Sequence, residues 1–262
     1  MMRTILVAVC ILLTVGFKTA AAEINYSLRP GIIGADDRRL VDEGRQGFSA
    51  VGHVNIGGYR TRSSCTGTLL APRVVLTAAH CVIDPSKKKP FRVGRIHFLA
   101  GVKGDKSKGH SVAQCLKFPR SYKYVGPKRL LPDLPFQKVP LNTFRLDLVL
   151  IILQDSLPNA ETMAIDLGAN LKAGQPLVHA AYPADRRYQL MADETCMFVG
   201  NTPGLWTTTC DTHAASSGGP VLFSQSDQLS VTAVMVGSIT NKASLAVPLS
   251  VWPDMPLTDD CP

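Results

Sequence analysis

The 262-residue chain carries 28 Lys and Arg against 20 Asp and Glu, a formal net charge of +8, and seven cysteines. Once an apolar leader is set aside, about 240 residues remain, enough for one large all-β domain or two small ones with buried cores. Nothing after the leader is apolar enough to replace it as a membrane span, so stable membrane insertion is excluded.

The leader is the first predicted element. Met1-Met2-Arg3 is a short positive start, Thr4 to Phe17 is almost wholly apolar, and Lys18-Thr19-Ala20-Ala21-Ala22 is a small-residue cleavage site. That layout predicts a secretory signal peptide over residues 1–22, cut after Ala22, and a secreted or periplasmic product of residues 23–262. Cys10 leaves with the leader. The remaining Cys65, Cys81, Cys115, Cys196, Cys210 and Cys261 form an even set behind an export signal, which predicts disulfides rather than catalytic thiols. Their spacing leaves the connectivity open. There is no CxxC pair and no His/Cys cluster at zinc spacing, so no metal site is expected.

Further along, short β-rich runs bounded by Gly, Pro, Asn or Ser recur: Ala50–Ile56, Gly67–Leu70, Val74–Thr77, Leu146–Leu153, Leu177–Ala181, Pro220–Phe223, Ser230–Val236 and Ser244–Val247. Many short strands with frequent turns predict an all-β sandwich or a pair of barrels. From Lys87 to Arg129 there are thirteen Lys or Arg residues and one acid, Asp105. No aromatic residues are interleaved in a binding pattern, so this stretch predicts solvated loops and no nucleic-acid partner. The Lys-rich part from Lys103 to Lys138 is expected to be one extended loop. Residues 159–175 are the expected link between two halves, and Val251–Pro262 an irregular strap.

Three residues carry candidate chemistry. The run from Cys65 through Val74-Val75-Leu76-Thr77-Ala78-Ala79 to His80-Cys81 is a β-branched strand leading into a small-residue turn that presents one histidine. A general base needs such a rigid placement, with a pKa near neutrality. His213-Ala-Ala-Ser216-Ser217-Gly218-Gly219-Pro220 precedes a strand. Its glycines let the backbone turn sharply, so that consecutive N–H groups can face one developing oxyanion. Asp147 opens the apolar run Leu148-Val149-Leu150-Ile151-Ile152-Leu153. A buried ionised carboxylate needs a partner, and an imidazole supplies one.

These motifs, in the order His80, Asp147, Ser217, resemble those of the trypsin-like serine peptidases. Two further features, Ile33-Gly-Ala-Asp-Asp-Arg38 and Cys210-Asp211-Thr212, are similar to the bacterial branch of V8-type glutamyl endopeptidases. The resemblance implies two six-stranded antiparallel β-barrels, about 31–158 and 159–262, with the active site in the cleft between them. It implies a secreted monomeric endopeptidase that acts on protein or peptide substrates without a cofactor. The oxyanion hole would be the N–H groups of Ala215 and Ser217. It also suggests a Cys65–Cys81 disulfide. Cys196 and Cys210 flank a hairpin-like stretch and are paired on that ground, which leaves Cys115 with Cys261.

The sequence departs from the family in places. Ala215 stands where a glycine is usual, and Ser216 stands where animal trypsins carry the aspartate that pairs with a freed amino terminus. Activation by that pairing is therefore not expected. Asp211 and Ser238 are the expected substrate-binding residues. Asp211 lies six residues before Ser217, where a pocket carboxylate would select Lys or Arg; in V8-like relatives the same Cys-Asp-Thr run looks like framework. Glutamyl specificity is disfavoured, because Val236-Gly-Ser-Ile-Thr-Asn241 lacks the histidine those enzymes carry there. Ala215 favours one alternative, a catalytically impaired peptidase-fold binding protein. An esterase using the same triad has no sequence feature of its own.

Overall fold

The computed structural model describes residues 31–42, 44–58, 64–124, 141–225 and 228–261. The leader expected over residues 1–22 lies outside them. Strand β1 (Arg39–Leu40) is followed by the strands of the first half: β2 (Val51–Ile56), β3 (Ser64–Ala71), β4 (Val74–Thr77), β5 (Ile83–Asp84), β6 (Lys89–Pro90), β7 (Ile96–Ala100), β8 (Gly109–Lys117) and β9 (Val149–Leu153). Six of these close into an antiparallel barrel in the order β2-β3-β4-β9-β8-β7, while β5 and β6 form a separate hairpin.

The second half contains β10 (Val178–Ala181), β11 (Met191–Asp193), β12 (Phe198–Thr202), β13 (Leu205–Thr208), β14 (Pro220–Gln225), β15 (Gln228–Ile239) and β16 (Ala243–Pro248). Their sheet order is β1-β11-β10-β14-β15-β16-β13-β12. This sheet also returns on itself. Leu177 N–H donates to Cys196 O (2.8 Å), Phe198 N–H to Gln175 O (2.9 Å) and Gly174 N–H to Phe198 O (2.9 Å). The β11–β12 segment is thus one bent strand running along the whole of residues 174–181, and the ring has six members with β1 added at its rim. Both rings run first–second–third–sixth–fifth–fourth, the same Greek-key path.

Burial explains why these segments are strands. Every residue of β9 is buried, as is every residue of β4, because one face fills the barrel and the other is covered. A strand buried on both faces reads as a continuous apolar run, which Val149–Leu153 is. β8 alternates instead, with Ser111 and Ala113 buried and His110 and Gln114 exposed. That strand corrects the expectation of one extended loop over 103–138, of which residues 125–138 lie outside those described. The strand's exposed residues His110 and Gln114 are polar, as is the buried Ser111, and lysines flank it, so composition hid an alternation that register with β7 and β9 enforces. The expected run Leu146–Leu153 is a strand only from Val149, and Asp147 therefore sits in the turn before it.

Three disulfides join Cys65 to Cys81, Cys115 to Cys261, and Cys196 to Cys210. The second ties the chain end to β8, so the segment after the 3-10 turn Leu249–Val251 packs as a strap across the first barrel. Among the described residues no helix is long and apolar enough to cross a membrane.

Candidate active site

His80 sits on a 3-10 turn, Ala79–Val82, directly after β4. The small residues before it let the chain bend against its neighbours: Ala78 and Ala79 are wholly buried, and Thr77 Oγ1 donates to Thr66 O at 2.7 Å. The turn is fixed to the Asp147 segment twice. Ala79 N–H donates to Asp147 O (3.2 Å), and His80 N–H donates to Asp147 Oδ1 (2.7 Å). The other carboxylate oxygen, Oδ2, lies 2.5 Å from His80 Nδ1. One carboxylate thus holds both the backbone and the ring of the histidine, leaving Nε2 as the outward nitrogen.

Asp147 is 2% exposed and the His80 side chain 29%. Burial disfavours the imidazolium, but the charge and hydrogen bond of Asp147 outweigh it, so His80 titrates above its ordinary value. Tyr122 and Tyr124 are both pushed up, first by burial and then by the Asp147 charge. That places this segment of the β8–β9 connection beside the carboxylate, which sequence reasoning missed.

Ser217 comes from the second barrel, on the loop before β14. Its carbonyl accepts from Thr66 N–H at 2.8 Å and lies 3.8 Å from Cys81 Sγ. The serine loop is therefore packed on the same Cys65–Cys81 corner that carries His80. Gly218 has φ +85°, and a Cβ there would lie 2.0 Å from Thr66 O. Only glycine permits this approach, which draws the two barrels together beside the serine. Thr66 also uses its hydroxyl across the junction, donating to Ala215 O (3.0 Å) and accepting from Tyr182 N–H (3.0 Å). No sequence signal marked Thr66 for that role.

The turn His213–Ser216 closes through Ser216 N–H donating to His213 O at 3.0 Å. Its third residue, Ala215, has φ +72°. A four-residue turn with positive φ at that position has type II character and strongly prefers glycine there. The Ala214 carbonyl accepts from Ala184 N–H at 2.7 Å. In a planar trans peptide the N–H points opposite to the C=O, so the Ala215 N–H faces away from Ala184. Ser216 is buried, and its hydroxyl accepts from His213 N–H at 3.1 Å.

The two expected substrate-binding residues lie in different surroundings. Asp211 is buried with its carboxylate against the N-terminal segment: Oδ1 accepts from Ile33 N–H and Oδ2 from Asp37 N–H, both at 2.8 Å. Burial raises its pKa, with Asp193 and Asp36 adding to the rise against those two hydrogen bonds. Ser238 is half-buried near the end of β15, opposite Ser244 of β16. Thr212 and Ser244, both buried, bring their hydroxyls to 3.4 Å of each other. Cys65, His80 and Cys81 cluster closely enough to suggest metal ligands, but the two sulfurs are spent in a disulfide.

Among curated proteins, the glutamyl endopeptidase of Bacillus licheniformis is 34% identical over 70 residues, 26% of this chain and 21% of that enzyme. The match thus spans about a fifth of that protein's length. Among solved structures, a Glu endopeptidase in complex with MPD superposes with a TM-score of 0.66 at 20% identity, covering 84% of this chain and 94% of the other. The VesB protease of Vibrio cholerae gives 0.62 at 14% identity, covering 83% and 65%. These likenesses, with the two six-stranded rings, establish the chymotrypsin-like fold. The model of the trypsin-like peptidase domain matches residues 65–229, well over half of the sequence, and the chain belongs to that family.

Proposed function

We propose that the protein is a secreted serine endopeptidase that hydrolyses peptide bonds through Ser217, His80 and Asp147. The observation that carries this reading is the double hold of Asp147 on His80, 2.7 Å to the backbone N–H and 2.5 Å to Nδ1, beside the Ser217 loop. Nδ1–H donated to a carboxylate leaves Nε2 as the proton acceptor, which is the tautomer a general base needs. Ser217 Oγ attacks the scissile carbonyl and its proton passes to His80 Nε2. The N–H groups of Ala215 and Ser217 stabilise the oxyanion as the carbonyl carbon becomes tetrahedral. His80 then gives the proton to the leaving amine, and water repeats the sequence on the acyl-enzyme.

Asp211 has both carboxylate oxygens engaged by backbone N–H groups, so we assign it no role in selecting a cationic side chain. Ser238 remains the candidate for substrate contact. Export after cleavage behind Ala22 is supported by the three disulfides, which persist in oxidising compartments. The test is labelling of the mature protein with a fluorophosphonate probe and mapping of the adduct by mass spectrometry. An adduct on Ser217 that is lost in His80→Ala is the expected result. No adduct on correctly disulfide-bonded protein would overturn the reading in favour of a peptidase-fold binding protein.

A further inference from the structure

The segment 31–41 is tied to the Ser217 half of the molecule at several separate points. Gly31 O accepts from Thr212 N–H (2.8 Å), Asp211 takes the N–H groups of Ile33 and Asp37, and Arg39–Leu40 pairs with β11. Its centre is Arg38, 3% exposed. The guanidinium grips Asp36 through Nε and Nη2 (2.9 Å each) and Asp185 through Nη1 (3.1 Å) and Nη2 (2.8 Å). Arg186 closes the cluster on Asp36 at 3.2 Å. Arg38 is buried while Asp36 is half-buried and Asp185 reaches the surface, so without these two bidentate carboxylates the guanidinium would be an unpaired buried charge.

The cluster leads to the nucleophile loop by one short step. Asp185 follows Ala184, whose N–H is bonded to the Ala214 carbonyl, and that carbonyl's orientation sets where the Ala215 N–H points. Asp185 Oδ1 also lies 3.7 Å from His213 Nδ1, the first residue of the same turn. Ala215 is held at φ +72°, a region an alanine adopts only at a cost that glycine avoids. Some external contact must hold it there, because the turn's own hydrogen bond does not distinguish the two orientations of its central peptide.

We infer that Arg38 is a positioning residue for the oxyanion donor: through Asp185 and Ala184 it holds the strained Ala215 peptide with its N–H turned toward the reacting carbonyl. The segment 31–38 is then a strap that completes the active site of the second barrel, doing by side chain what an amino terminus paired with an aspartate does where Ser216 is an acid. The inference rests on the peptidase reading for its consequence in rate, but not for its consequence in backbone conformation.

The test is Arg38→Met in the full chain. The kcat for a peptide anilide falls by about 10²–10³, the size of one lost oxyanion donor, while KM changes little. The pH at half-maximal activity stays where it was, since the His80–Asp147 pair is untouched. Arg38→Met combined with Ala215→Gly recovers at least about ten-fold, because glycine reaches positive φ without the steric cost that alanine carries. The vicinal HN–Hα coupling of Ala215 in isotope-labelled protein reports φ independently of turnover and shifts in Arg38→Met. An Arg38→Met enzyme with unchanged kcat, an unchanged Ala215 coupling, or a loss that Ala215→Gly does not relieve would each overturn the inference. If Arg38→Met does not fold, Asp185→Asn cuts the same clamp from the other side and is read in the same way. A wild-type protein without turnover would sink the peptidase reading alone, and the Ala215 coupling would still decide the strap.

Discussion

Asp147 orients His80 through two separate atoms, and that arrangement has a measurable consequence for pH dependence. On the proposed reading His80 is the general base and must be neutral to act, so activity is expected to rise with pH through its pKa. Because Asp147 holds that pKa above the ordinary histidine value of about 6.5, the rising limb of kcat/KM is expected above it. Asp147→Asn keeps the shape but removes the charge, and is expected to cost about 10⁴ in kcat and to move the limb back down. A variant with nearly full kcat and an unmoved limb would show that the carboxylate is not what orients the base. His80 and Ser217 were legible as candidates in the sequence because their flanking residues are unusual: small residues and a disulfide cysteine around one, consecutive glycines after the other. Arg38, Asp185 and Thr66 were not, because an arginine or threonine carries no mark of its partner until the chain has folded back over more than a hundred residues to reach it.

Strands show the same division. β4 and β9 were legible as apolar runs since both faces are buried. β8 reads as loop in the sequence because about half its side chains are polar and lysines surround it, and only its pairing with β7 and β9 makes it a strand. Cys115 lies on that strand and bonds Cys261 across a separation of 146 residues, whereas Cys65 and Cys81 close only 16. A longer loop loses more unfolded-state entropy on closure, so the Cys115–Cys261 bond is the larger stabiliser on that account, about 5 kcal/mol against about 3. Replacing Cys115 and Cys261 together by alanine is therefore expected to lower the unfolding free energy from urea titration by several kcal/mol, with a larger m-value because the uncrosslinked unfolded chain exposes more surface. A loss under about 1 kcal/mol would show that the terminal strap is held by its other contacts.

The two barrels meet over groups that respond to acid. His53 of β2 is 2% exposed, its ring lies 4.5 Å from that of Tyr182, and its Nε2 has no hydrogen-bond partner among the described residues. Burial lowers its pKa to about 4, and the same cause lowers His179, packed beneath Gly219, to about 4. The unfolded chain binds these protons near pH 6.5, whereas the folded protein refuses them until about pH 4. Stability therefore falls as pH drops through that window, by up to about 3 kcal/mol for each histidine. His80, shifted upward, acts in the opposite sense: its contribution is present below its unfolded pKa and is lost as pH rises through the folded one. Urea unfolding from pH 7 to pH 4.5 is expected to show the net decline, and His53→Gln to flatten it by about one proton's worth. An unchanged slope in that variant would place the acid sensitivity elsewhere.

The all-β class and the candidate motifs around His80 and Ser217 followed from local composition and from family-like motifs, because strand period, small-residue turns and glycine-rich loops are properties of neighbours in the chain. Tertiary structure alone decided that Asp211 belongs to the N-terminal strap, that β11 and β12 are one bent strand closing a second barrel, and that Ala215 is held at positive φ. Each of these depends on hydrogen bonds between segments far apart in sequence, whose free energy exists only once both partners are buried in the same place.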